Sequence, residues 1–358
     1  MKKVLGAALA LFVVCSAMVL AGCGSNSSSG TIKIAMMPKF KGENYFDAVK
    51  IGAQEAVDEL NKSGKVVDFL YDGPPQDQAT NQKQVDILEG WIAQKVNVIL
   101  LSPNDPTAIA PTLKKAQSRG IKVLTFDADA QADARDLFIN QAVSSGIALG
   151  LVKSAADNLQ LKGYGPGKPA NAALVSSAKT DANQQEWLAE IKKLLAGEYN
   201  WIVIKNEASD VYYPGPDETA TQSQSGTLVG RMGPGADQIQ VAIGLTSMAS
   251  PALGSQYEAA SVKPDVSKTV ITGLATPNAL KSYIKSASNP LDAGVLWSCM
   301  DLGYLAIQSG YQLAKGTITS TSSSLTAGRI GQRDISNKTV ILGPALIFDK
   351  NNVDQFDY

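Results

Sequence analysis

The sequence predicts an α/β protein built from parallel sheets, each covered by helices on both faces. Two observations carry this. Short apolar runs alternate with amphipathic helical stretches along most of the chain, the pattern of strand–helix–strand units whose parallel strands need cover on both sides. And once a 22-residue leader is set aside, the remaining 336 of 358 residues exceed one ordinary core, which points to two domains.

The leader comes first. Lys2 and Lys3 precede an apolar run from Val4 to Leu20, and Leu20-Ala21-Gly22-Cys23 ends it. A charged start, an apolar segment and small residues before a cysteine read as a lipoprotein export signal over residues 1–22. Cys23 is then the lipidated residue, and residues 23–30 form a flexible polar spacer. A retained membrane span is the weaker reading, because the run is at the short limit of ~20 residues and is broken by Cys15 and Ser16.

The elements follow in order. Thr31–Met37 is the first strand. From Asn44 to Leu60, Phe46, Val49, Ala53, Val57 and Leu60 recur at three- and four-residue spacing, which makes an amphipathic helix. Val66–Tyr71 is a strand closed by the turn Asp72-Gly73-Pro74, and a helix runs on to about Gln94. Val96–Leu101 is the third strand. Asp105 then supplies a cap acceptor and Pro106 a first helical position, where a missing N–H does no harm. Lys122–Phe126 is the fourth strand and closes the run. Later strands are expected near Ala170–Ser176, Trp201–Lys205, Gln238–Ile243, Thr269–Gly273 and Gly294–Trp297. The cluster Gly163, Gly165, Gly167 precedes a strand instead of joining strand to helix, so it reads as a surface loop and not a phosphate cradle. Thr317–Ser324 reads as a flexible surface crossing.

Composition narrows the chemistry. The 358 residues contain no histidine, which removes the usual serine and cysteine triads and the common zinc sites. With the leader gone, 30 basic residues stand against 33 acidic ones, a balance that gives no reason to expect nucleic-acid binding. Only Cys299 remains unmodified, so no internal disulfide can form. No cofactor and no metal are expected; hard cations need six or more oxygen ligands, and the acidic residues do not cluster that way.

In open parallel sheets ligands sit beyond the carboxyl ends of the strands. After the first strand, Lys39 is a donor for a hydroxyl, while Tyr45 and Phe46 offer faces for a sugar ring; Phe46 also fits the apolar stripe of its helix, and a solvated cation is the weaker reading of Lys39. After the fourth, Asp127 and Asp129 can each accept paired hydrogen bonds from neighbouring hydroxyls, although one of the two also suits a cap. After the strand from Ala170, Asn183 and Gln184 carry both donor and acceptor, with Thr180 or Asp181 as the helix cap. Ser247, Trp297 and Ser298 offer hydroxyls and an indole, Trp297 reading equally as core.

These residues resemble a known family, the periplasmic sugar-binding proteins of ABC importers, in the branch of the autoinducer-2-binding and rhamnose-binding proteins. The resemblance runs from about Ile32 to Phe356 through MMPKFKG, YDGP, VLTFDAD with FINQ after it, NQQEW, TGLATPN and VLW. It implies the type I periplasmic-binding fold: two similar lobes joined by three hinge crossovers, residues 31–137 and 275–323 forming the first lobe and 138–274 and 324–358 the second. It implies ligand positions at Lys39 and Asp127. Asn183 and Gln184 fall where the family carries an aspartate and a glutamine, Leu245 and Ser247 where it has proline and alanine, and Ser298 where an aspartate follows the tryptophan. The architecture carries over and the ligand stays open.

The reading that results is a lipid-anchored, extracytoplasmic solute receptor, not an enzyme, that takes a monosaccharide or sugar-like ligand to an ABC permease as a monomer. A sensory receptor for a sugar or autoinducer-2 would use the same cleft. An exported carbohydrate enzyme working through Asp127 and Asp129 is a further rival, and a sugar-responsive transcription regulator of the same core fold is the weakest, given the export signal and no DNA-binding headpiece.

Overall fold

A computed structural model describes residues 30–358. The expected leader and the lipidated Cys23 lie outside the described residues.

The first half builds one sheet by regular alternation. β1 (Ile32–Met37), β2 (Val67–Tyr71), β3 (Val98–Leu101), β4 (Lys122–Phe126) and β5 (Leu137–Asn140) are separated by α1 (Asn44–Leu60), α2 (Asn81–Ala93) and α3 (Ala110–Ser118). All five pair in parallel. β1, β3 and β4 are almost wholly buried, which fits strands covered on both faces. Two cores flank the sheet, one under α1 with Ile34, Met36, Leu100 and Phe126, the other under α2 and α3 with Met37, Ile99, Leu101 and Leu113. Asp105 does cap, its Oδ1 accepting from the N–H groups of Thr107 and Ala108 at 2.9 Å, but it closes a turn, and α3 starts five residues on, at Ala110.

The second sheet repeats the theme. α4 (Ser144–Leu161), β6 (Ala170–Val175), α5 (Ala182–Ala196), β7 (Ile202–Val203), α6 (Glu207–Asp210), β8 (Val211–Tyr212), α7 (Glu218–Met232), β9 (Val241–Gly244), α8 (Ala249–Ala259), β10 (Val270–Leu274), α9 (Pro277–Ile284) and β11 (Leu291–Leu296) follow in chain order. The glycine cluster at 163–167 is the loop between α4 and β6, pinned by the Gly165–Lys168 bridge. The chain then returns through α10 (Cys299–Lys315), β12 (Ser324–Ala327), β13 (Gly331–Ser336) and β14 (Thr339–Ile341), and ends with β15 (Leu346–Asp349). The sheet orders are β12-β13-β14-β5-β4-β3-β1-β2 and β15-β11-β10-β9-β6-β7, with β8 also on β6. Among the described residues no helix is long and apolar enough to cross a membrane.

The sheets correct the expected lobe boundaries. Residues 291–296 belong to the second sheet, because β11 pairs with β10 and β15. Residues 324–341 belong to the first, because β14 lies parallel to β5 and carries β13 and β12 with it. α10 packs on α1, so the first lobe comprises 31–140 and 299–341 and the second 144–296 and 346–358. The chain thus passes between sheets three times, at 141–143, 297–298 and 342–345. The α10–α1 contact is backbone-close: a Cβ on Gly52 would run into the Met300 carbonyl, and one on Gly303 into that of Val49.

Candidate functional site

Parallel pairing brings the carboxyl ends of β1, β3 and β4 to one edge, and the next residues form one wall of a cleft. Asp127 follows β4 directly in the left-handed region, at φ 63°, a conformation that costs an L-residue about 1–2 kcal/mol and that aspartate tolerates better than most. Its N–H donates to the Ile139 carbonyl at 3.3 Å and the Ala128 N–H to that of Phe126 at 2.7 Å, so a tight turn holds it there. The carboxylate accepts from the Tyr45 hydroxyl at 2.9 Å on one oxygen and from the Ser102 hydroxyl at 2.8 Å on the other. Burial pushes the Asp127 carboxyl up; Lys39 and the two hydroxyls pull it back only in part.

The loops around it are fixed by one buried side chain. Gln84 of α2 donates to the Pro38 carbonyl at 3.2 Å and the Ser102 carbonyl at 2.9 Å, and accepts from the Asn104 N–H at 2.9 Å. The Asn104 amide in turn donates to the Lys39 carbonyl at 3.0 Å. The loops after β1 and β3 are therefore tied together beneath the cleft.

Lys39 crosses to the other lobe. Its Nζ donates to Asp181 Oδ1 at 2.9 Å and to Asn183 Oδ1 at 3.3 Å. Both members of the ion pair are buried, with side chains 8% exposed. Burial alone would lower the Lys39 pKa, yet the charges of Asp181 and Asp127 outweigh it and raise it; burial acts against the Asp181 carboxylate too, and Lys39 overcomes that and lowers it. Asp181 holds the N-cap position of α5, but its second oxygen turns back to the Ala178 N–H at 3.1 Å. The amides at 183 and 184 thus stand beside a carboxylate two residues earlier, which the sequence showed only as a helix cap.

The remaining expected residues divide clearly. Tyr45, Phe46, Gln184, Ser247 and Trp297 line the same cavity of about 130 Å³ as Lys39, Asp127 and Asn183. Gln184 is half committed, its oxygen accepting from the Ser176 hydroxyl at 2.6 Å and the Ser177 N–H at 2.8 Å. The Tyr45 hydroxyl also accepts from the Trp297 indole N–H at 3.0 Å, and the two rings meet edge to face with centroids 5.9 Å apart. Phe46 and Trp297 are buried core residues that also line the cavity. Asp129 and Ser298 do not join them. The Asp129 carboxylate is held by both arms of Arg135, at 2.8 and 2.7 Å, and by Thr125; the Ser298 hydroxyl caps α10 by accepting from the Asp301 N–H at 3.2 Å. A guanidinium fork engages the one and a helix end the other, and neither residue lines the cleft.

Sequence reasoning missed Glu43, Asn104 and Ser177, all in the cavity wall. Asn104 and Ser177 follow strand ends and were findable by that criterion; Glu43 reads as an ordinary acidic helix start. Burial lifts the Glu43 carboxyl to about 7, against the Ser247 hydroxyl and the N–H groups of Tyr45 and Phe46, with Asp127 adding to the rise.

Residues 34–318 match the periplasmic binding protein domain family. A sugar ABC transporter protein from Actinomyces odontolyticus superposes with a TM-score of 0.69 at 27% identity, over 92% of this chain and 100% of that one. A solute-binding protein from Clostridium phytofermentas with bound L-rhamnose gives 0.79 at 24% identity, over 91% and 98%. LsrB from Clostridium saccharobutylicum in complex with AI-2 gives 0.81 at 23%, over 91% and 100%. Two lobes around a polar cleft, together with a family match over most of the sequence, make this chain a member of the periplasmic binding protein domain family, the fold of these sugar-binding components of ABC transporters.

Proposed function

We propose that this protein is a lipid-anchored extracytoplasmic receptor that closes its two lobes over one monosaccharide-sized polyhydroxylated ligand and presents it to an ABC permease. The observation that carries the reading is the cavity of about 130 Å³ walled by both lobes, with Lys39 and Asp127 from the first and Asp181, Asn183 and Gln184 from the second. At a liquid share of about 30 Å³ per water, that space has room for several waters, the scale of a small polar ligand. Lining chemistry agrees: carboxylates, amides and hydroxyls that pair with sugar hydroxyls stand beside the aromatic faces of Phe40, Phe46, Trp187 and Trp297. Contact from both lobes is what makes binding useful, since only a ligand that prefers the closed state can shift the molecule toward it. Cys23 supplies the tether that keeps the receptor near its permease.

Thermal unfolding of the purified protein against pentoses, hexoses, deoxyhexoses and autoinducer-2 tests this. A ligand bound only to the folded state adds about 2.7 kcal/mol at a hundred times its Kd, so one compound of this set raises Tm by several degrees and is recovered unchanged. Turnover of the sugar, or no shift with any of them, refutes the receptor reading.

A further inference from the structure

The charged groups in the cleft are unbalanced. Lys39 is the one cation among the lining residues, and Glu43, Asp127 and Asp181 are carboxylates. Lys39 and Asp181 neutralise each other at 2.9 Å. Asp127 is held by the Tyr45 and Ser102 hydroxyls. Glu43 is different: it is 9% exposed, it lines the cleft beside Ser247, and its Oε2 has no hydrogen-bond partner. A buried carboxylate oxygen with no donor is costly unless something supplies one. Its neighbours across the cleft wall add no cation, and the adjoining cavity behind it carries another carboxylate, Glu218.

We infer that Glu43 is a ligand-reading residue and that it makes the cleft select by charge, admitting neutral and amino-bearing monosaccharides and excluding uronates and other anionic sugars. The inference rests on the sugar-receptor reading above. Turned toward the cleft that it lines, the Glu43 carboxylate takes its missing donor from a hydroxyl or ammonium of the ligand. A ligand carboxylate would instead meet two unneutralised carboxylates, and a like charge about 6 Å away at an effective dielectric near 20 weakens binding about a hundredfold. The position at the head of α1 offers a competing role, since a carboxylate there also interacts with the N–H groups of the first turn. That role predicts a loss of stability on substitution without a change in ligand preference.

Calorimetry at pH 8, above the value of about 7 to which burial lifts Glu43, separates the two. The probes are L-rhamnose, D-arabinose, D-galactose, D-glucose, D-galactosamine, D-glucosamine, D-galacturonate and D-glucuronate, against the wild-type protein and Glu43→Gln. The wild type is expected to bind its best neutral or amino sugar at least a hundredfold more tightly than either uronate. Glu43→Gln is expected to weaken that best sugar about tenfold, the difference between a charged and a neutral acceptor. A uronate as the tightest binder overturns the proposal. So does a best-sugar Kd unchanged within twofold in Glu43→Gln, whether or not the unliganded Tm falls. If none of the eight binds to either protein the proposal fails, and the sugar-receptor reading fails with it only when the wider thermal screen of pentoses, hexoses, deoxyhexoses and autoinducer-2 is silent as well.

Discussion

At the scale of single residues, the site depends on side chains whose surroundings oppose their charge. Asp127 is held in a left-handed turn at the end of β4, so the backbone, and not only the side-chain rotamer, aims its carboxylate at the cleft. Glu43 carries a pH signature of its own. Its carboxyl is raised from 4.5 to about 7 in the folded protein, so between those values the native state holds a proton that the unfolded chain has lost. Stability from this group is therefore fully present below about pH 4.5, falls as pH rises to about 7, and is flat above. The loss is at most about 3 kcal/mol at 1.36 kcal/mol per pKa unit. Glu43→Gln abolishes it: in urea unfolding, the variant gains on the wild type steadily from pH 4.5 to 7. A stability difference that does not change across that window would show that Glu43 ionises as it does in the unfolded chain.

At the scale of elements, the strand ends make the site and the helices hold the strand ends in place. α1 brings Tyr45 and Phe46 to the cleft wall, with Glu43 at its head, and is seated on α10 through Gly52 and Gly303, where the backbones meet without side chains between them. Gly52→Ala forces the two helices apart. It is expected to cost about 1–3 kcal/mol in urea unfolding at an unchanged m-value, and an equal or higher midpoint would contradict the close packing. The strands of both sheets were readable where they are apolar and buried on both faces, as β1, β3, β4, β6 and β10 are. β5, β13 and β14 were not, because they are short or polar on one side and form only by pairing with distant strands; β14 finds β5 across some two hundred residues. The lobe boundaries failed for the same reason, since which sheet a strand joins is a non-local property. In the site, Lys39 and Asp127 were legible because a charged group just past a buried strand has few purposes. Asp181 was read as a cap because it sits in a cap position, and its ion pair with Lys39 needs the two lobes face to face.

At the scale of the whole molecule, two lobes and three crossovers frame the cleft, and the proposed receptor function gives them an open and a closed state. Trp297 stands at the second crossover and donates to Tyr45, which donates to Asp127, so the hinge and the floor of the cleft share one hydrogen-bond chain. The buried Lys39–Asp181 pair joins the lobes, and the Gln76 amide adds contacts to Pro216 and Met248 at the mouth. In this account the ligand adds its own bonds to both walls and tips the balance toward closure. The central claim is that the ligand sits in this cleft and is held by Asp127. Titration calorimetry of Asp127→Asn, with whichever sugar gives the wild-type protein its largest rise in Tm, tests it most directly: asparagine keeps the shape and the tolerance of the left-handed turn but replaces a charged acceptor by an amide. Asp127→Asn is expected to raise Kd at least tenfold with an unliganded Tm near that of the wild type; a Kd unchanged within twofold would place the ligand elsewhere.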